Sequence, residues 1–170
     1  MRSSGAIRTV MGLVIVGGVA FGVSPVAAAG SAPADLSINA TVNAKCTITT
    51  AAVDFGDYDP VGTHAGADLD ASGSVTIACT KDAVATVGLG TGANHDGTNR
   101  RMSGGGTHLK YELYSDSNRQ NVWDEGAGKL APAAAPSKAP RTYPVYGRVF
   151  QGQDVPAAGF TDTVVATVNF

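Results

Sequence analysis

The chain has 170 residues, of which 44% are hydrophobic and 15% charged, with 22 glycines and two cysteines. Its formal net charge of −2 argues against nucleic acid or an anionic membrane surface as partner. So few charges among so many glycines and small or β-branched residues suit an all-β protein with tight turns.

Arg2 and Arg8 precede an apolar run over residues 10–23, and Ala27, Ala28 and Ala29 supply small residues for a peptidase. This pattern predicts a secretory signal peptide over residues 1–30, cleaved on export, because the run falls short of the roughly 20 residues that cross a bilayer. Losing Arg2 and Arg8 leaves ten basic against 14 acidic side chains, a mature net charge of −4. About 140 residues then remain, enough for one domain with one core.

Residues 35–44 read DLSINATVNA, an unbroken alternation of polar and apolar residues. Leu36, Ile38, Ala40, Val42 and Ala44 share one face of a predicted strand, since strand side chains have a period of two. At ~3.3 Å per residue it would span roughly 33 Å, the height of a small sandwich. Lying at the start of the mature chain, it has the character of an arm in need of a groove.

Residues 45–50 (KCTITT) continue as strand, and 53–60 bend at Gly56 and Pro60. Residues 61–72 are rich in Gly, Ala and Asp and predict a loop. Residues 74–79 alternate again, with Val75, Ile77 and Cys79 inward. Cys46 and Cys79, the only cysteines of an exported chain, predict one disulfide between two strands. Closing that loop contributes about 3.8 kcal/mol on the chain-entropy model.

Residues 83–89 predict a short strand, and a Gly- and Asn-rich stretch runs on to Gly106. Residues 109–114 (LKYELY) form a half-buried antiparallel strand. Trp123, the single tryptophan, anchors a short piece at 121–124. The Ala/Pro-rich residues 126–141 predict a loop, residues 143–150 a strand, and residues 160–170 a last strand with Val164, Ala166, Val168 and Phe170 facing one way. No mature segment has a helical period over ten residues. Short strands, turn signals and one disulfide indicate an immunoglobulin-type sandwich. A clean apolar first strand and a chain ending within a strand fit a sandwich that lacks its closing strand.

Signals for chemistry are weak. His64, His95 and His108 lie in or beside Gly-rich segments, without metal-protease spacing. Asp54, Asp57, Asp59, Asp68 and Asp70 do not have the spacing of a calcium loop. Gly104, Gly105 and Gly106 lack the Lys-Ser or Lys-Thr of a phosphate loop, and Arg100 and Arg101 suit a structural ion pair as well as an anionic ligand. Tyr111, Tyr114, Trp123, Tyr143 and Tyr146 suit strand packing better than a sugar platform. No catalytic, cofactor or metal residues are expected, and the chain is not read as an enzyme.

Several stretches together resemble the spore coat protein U domain: KCTI at 45–48, VDFGDY at 53–58, GSVTIACT at 73–80, NRRM at 99–102, LKYELY at 109–114, YGR at 146–148 and GFTDTVVATV at 159–168. That family includes subunits of archaic chaperone–usher pili. The resemblance covers residues 34–170, with the 126–141 segment longer than the usual connection. It implies an incomplete immunoglobulin-like β-sandwich, residues 45–170, lacking its last strand and preceded by an N-terminal donor-strand arm over residues 31–44. It further implies a periplasmic chaperone, an outer-membrane usher and neighbouring pilus subunits as partners, with Leu36, Ile38, Ala40 and Val42 as donor residues. Val164, Ala166, Val168 and Phe170 would form the acceptor edge. The implied role is a structural subunit of a surface fibre serving adhesion or biofilm formation. A secreted spore-coat or matrix protein and a monomeric sugar-binding sandwich are the alternatives.

Overall fold

The computed structural model describes residues 29–170. The expected signal peptide therefore lies almost wholly outside the described residues. The chain divides into an N-terminal unit ending at Asn39 and a domain, Ala40–Phe170.

Seven strands are assigned: β1 (Cys46–Ala51), β2 (Leu69–Cys79), β3 (Thr86–Leu89), β4 (Arg100–Gly104), β5 (Thr107–Tyr114), β6 (Arg141–Val149) and β7 (Ala166–Asn169). A five-stranded sheet has the order β1-β2-β6-β5-β4, a two-stranded sheet pairs β3 with β7, and every pairing is antiparallel. The protein is all-β, as the sequence predicts. The core lies between the sheets: Val75 and Ile77 of β2, Leu109 and Leu113 of β5, and Val145 and Val149 of β6 are buried beside Val87 and Leu89 of β3. Their period of two puts the polar residues of the large sheet on its outer face.

Cys46 and Cys79 are joined by a disulfide and sit opposite each other in the β1–β2 register. The predicted strand–strand staple is thus present, at an edge of the large sheet. Cys79 is buried and Cys46 half-buried.

Four expectations are corrected. Residues 29–45 carry no strand, so the predicted strand at 35–44 is absent. Alternation supplies a face, but a strand also needs a ladder for its N–H and C=O groups. Residues 69–72, expected as loop, belong to β2, where pairing from Leu69↔Val149 to Ile77↔Arg141 outweighs their poor strand propensity. The Gly-rich stretch before Gly106 contains β4, closed onto β5 by Gly105 and Gly106, both at positive φ (57° and 78°) as a two-residue hairpin turn requires. The 126–141 segment pairs in part with the small sheet. Leu130 and Val87 exchange two backbone hydrogen bonds of 2.8 and 2.9 Å, and Ala135 N–H donates to the Ala83 carbonyl at 2.9 Å. This covers the free edge of β3.

Candidate functional site: an open apolar groove

Two glycines route the chain between the layers. Gly73 lies on the inward-facing series of β2, where a Cβ would stand 2.6 Å from the Ala51 carbonyl oxygen and 2.7 Å from that of Ala52. Residues 51–52 therefore leave the sheet edge and cross over β2. Gly147, inward on β6, leaves room for the segment beyond: its Cβ would lie 2.7 Å from both Val53 Cγ1 and Phe55 Cζ. Tyr58 fixes the far end, its hydroxyl donating to the Phe150 carbonyl at 3.1 Å and accepting from Gln153 N–H at 3.0 Å. Residues 53–58 thus become a lip of the second layer, although neither glycine was singled out in the sequence. Glycine at inward positions of otherwise apolar alternations was the available signal.

The opposite lip is residues 155–166. Thr161 exchanges backbone hydrogen bonds of 2.8 and 3.0 Å with Ser103 of β4, and the carbonyls of Thr163 and Val165 accept from Ala93 and Gly90. Among the described residues, β7 forms its ladder with β3 alone. Ala166, at its start, lines the space between the lips.

That space is a groove of about 1070 Å³. Val75, Leu109, Leu113, Val145 and Val149 form its floor, and Phe55, Phe160, Val164 and Ala166 its sides. Close-packed interiors hold few voids larger than a water molecule. Even an engineered core cavity of roughly 150 Å³ is large by that standard. The core is thus open along one margin, for want of a layer of apolar side chains.

Among the polar groups that line this groove, Asp162 and Tyr111 are satisfied by the domain itself. The Asp162 carboxylate accepts from the Tyr111 hydroxyl at 2.7 Å and from Asn94 N–H and Nδ2 at 3.1 and 3.0 Å. Burial, then the hydrogen bond to Asp162, pushes the Tyr111 hydroxyl far above its ordinary pKa, so it stays a neutral donor. Asp54 and Asp57 stand exposed in the lining, while the floor of the groove is apolar.

The sequence-predicted residues fall as follows. Leu36, Ile38 and Val42 are 84%, 86% and 82% exposed, and Ala40 is exposed as well. Val164, Ala166 and Val168 pack against the core. Phe170 departs from the predicted face: it lies beyond β7 and is 58% exposed.

The polar candidates have structural employment. Arg100 is buried, pairs with Glu112, and donates to the carbonyls of Leu89, Gly90 and Trp123 at 2.8–3.0 Å. Arg148 binds Asp70 through two hydrogen bonds of 2.7 and 2.9 Å, and these hold the Asp70 carboxyl below its ordinary pKa. Asp59 accepts from the N–H groups of residues 61–63, its pKa lowered chiefly by the Gly62 bond, while His64 Nδ1 accepts from Asp59 N–H at 2.8 Å. Among the described residues no cluster of three His, Cys, Asp or Glu side chains could hold a metal ion.

Residues 32–167 match the family model described as the Spore Coat Protein U domain. The chain belongs to that family. This Spore Coat Protein U domain chain is 34% identical to "Protein U" of Myxococcus xanthus, an alignment covering 97% of this chain and 99% of that one. It is also similar to a solved chain of the CsuC–CsuE chaperone–tip adhesion subunit pre-assembly complex from the archaic chaperone-usher Csu pili of Acinetobacter baumannii. The TM-score there is 0.57 at 24% identity, over 76% of this chain and 41% of that chain. This chain spans about two fifths of that neighbour's length, and the likeness is one of fold. It agrees with the all-β architecture that the sequence predicts.

Proposed function

We propose that this protein is a structural, non-enzymatic subunit of an extracellular fibre of the chaperone–usher type, assembled by donor-strand exchange. The observation that carries the reading is the apolar groove of about 1070 Å³ opening into the core beside the free edge of β7. Residues 31–44 of one copy enter the groove of the next, with Leu36, Ile38, Ala40 and Val42 turned to its floor. Val164, Ala166 and Val168 belong to the accepting edge. The strand missing from the isolated chain forms when that edge supplies its ladder, which is β-augmentation. Each large side chain so buried contributes about 1.5–3 kcal/mol, and Ala40 less. Copies joined head to tail grow as an open filament.

An exposed groove of this kind is an aggregation hazard before assembly. A periplasmic chaperone covers it and an outer-membrane usher exchanges the chaperone for the next subunit, giving a cell-surface fibre used in adhesion or biofilm formation. The pilus origin of the solved neighbour supports this reading. The near full-length likeness to Protein U favours a second reading, the same strand exchange used within a spore coat or matrix.

Deletion of residues 31–44 tests the mechanism. The deleted chain, expressed with its assembly machinery, is expected to form no SDS-resistant polymers while still being held by the chaperone. Polymers of ordinary length from the deleted chain would overturn donor-strand exchange.

A further inference from the structure

Charge is distributed unequally between the two ends of the domain. Three of the chain's five lysines, Lys45, Lys81 and Lys138, line one cavity of about 540 Å³ at the disulfide end. Thr47, Thr80 and Ser137 share that lining. All three lysines are exposed, and none has an ion-pair partner among the described residues. Asp82 is the carboxylate in the adjoining turn. Lys45 is also the root of the arm: its N–H donates to Thr80 Oγ1 at 3.1 Å and its carbonyl accepts from Thr80 N–H at 2.8 Å.

The opposite end carries the other sign. Asp54 and Asp57 stand on the 53–58 lip, exposed and without an ion-pair partner among the described residues, and both line the groove. Asp59 follows on the same lip, where its N–H donates to His64 Nδ1, and Asp154 follows Gln153, whose side chain bonds the Lys110 backbone. The β1–β2 register places Cys46 and Cys79 at the first end, while Leu69↔Val149 and the Tyr58–Phe150 hydrogen bond mark the second.

We propose that each fibre joint is ionic as well as apolar: Lys45, Lys81 and Lys138 of one copy seat against Asp54 and Asp57 of the copy that receives its arm. This rests on donor-strand exchange and adds direction to it. β7 runs from the Tyr58 end toward the disulfide end. An arm antiparallel to β7 brings its root, and the three lysines with it, to the aspartate lip. A parallel arm would bring the lysines of one copy against those of the other. Like charges at such close range cost free energy and suppress the wrong arrangement, so the charge pattern selects the antiparallel one. It also steers the approach of subunits, an effect that weakens as salt rises.

The test uses the full chain with its assembly machinery and follows growth of SDS-resistant polymers at low and high salt. The milder triple variant K45Q/K81Q/K138Q is expected to slow growth at low salt by about tenfold and to remove its salt dependence. Reversal on one side, K45E/K81E/K138E or D54K/D57K, is expected to slow growth further. Both reversals in one chain should restore the wild-type rate. Wild-type growth and salt dependence in the Gln variant would overturn the proposal, as would failure of the double reversal to recover in chains whose thermal midpoint is unchanged. Normal growth combined with lost retention on polygalacturonate would overturn it in favour of an anionic polysaccharide as occupant. These results leave donor-strand exchange standing, since only polymers formed without residues 31–44 refute that.

Discussion

The two margins of the sandwich are built from opposite chemistry. One is closed by buried polar bonds. Arg100 reaches from β4 to the carbonyls at the end of β3, and Trp123 joins the sheets, its Nε1 donating to the Val87 carbonyl at 2.8 Å and its N–H to that of Leu113 at 2.9 Å. The other margin offers apolar side chains and an unpaired strand edge across about 1070 Å³. A buried cation with four partners has one arrangement that satisfies it, so the closed margin is specified from within the chain. An apolar lining has no such demand and accepts any strand of suitable alternation. Stability concentrates on the first margin and exchangeability on the second.

The comparison breaks most severely at Arg100. R100A is expected to destabilise the domain by about 3–5 kcal/mol in chemical denaturation, because it strands Glu112 and the carbonyls of Leu89, Gly90 and Trp123 in the interior. Adding E112A should give little recovery, since the carbonyls stay unpaired. At the open margin, G73A forces a Cβ against the backbone of residues 51–52, and a cost of about 1–3 kcal/mol is expected together with weaker capture of a synthetic peptide of residues 31–44.

I38D sharpens the contrast by altering the filler and neither margin. Ile38 is 86% exposed, so the thermal midpoint should stay within what ~0.5 kcal/mol produces while polymer formation is lost. An unfolding shift of several kcal/mol would show instead that Ile38 completes its own domain.

The smallest effect belongs to the outer face. The Asp70 carboxyl, lowered by its hydrogen bond from Arg148, contributes stability that is fully present above its unfolded value near ~3.9 and lost as pH falls through the lower folded value. D70N should therefore flatten that part of the acid limb, by less than about 1 kcal/mol because the pair is partly exposed. A pH–stability curve parallel to wild type below pH ~4 would contradict this.

Legibility followed the range of the interaction. The inward faces of β2 and β5 were readable from 74–79 and 109–114, because period two is a property of neighbouring residues. Cys46 and Cys79 were readable as a strand staple because an exported chain with two cysteines has one simple pairing. The floor of the groove was legible through the same alternations. Its lips were not: residues 53–58 read as a bend and no strand was predicted over residues 155–159, and only their partners across the fold make them walls. β4 was hidden in glycine and asparagine, and its existence rests on the ladder with β5.

By itself, then, the sequence determined an all-β chain, the inward side of its long strands, its disulfide and an arm with one apolar face. Tertiary structure decided where the core stays open. It did so through Gly73 and Gly147, which let the chain cross between layers, and through Arg100, whose partners lie 10–23 residues away. It also decided that residues 35–44 are not a strand in the single chain. An apolar face is encoded residue by residue, whereas a strand is a relation between two segments, and for this arm the groove of a neighbour is the partner we propose.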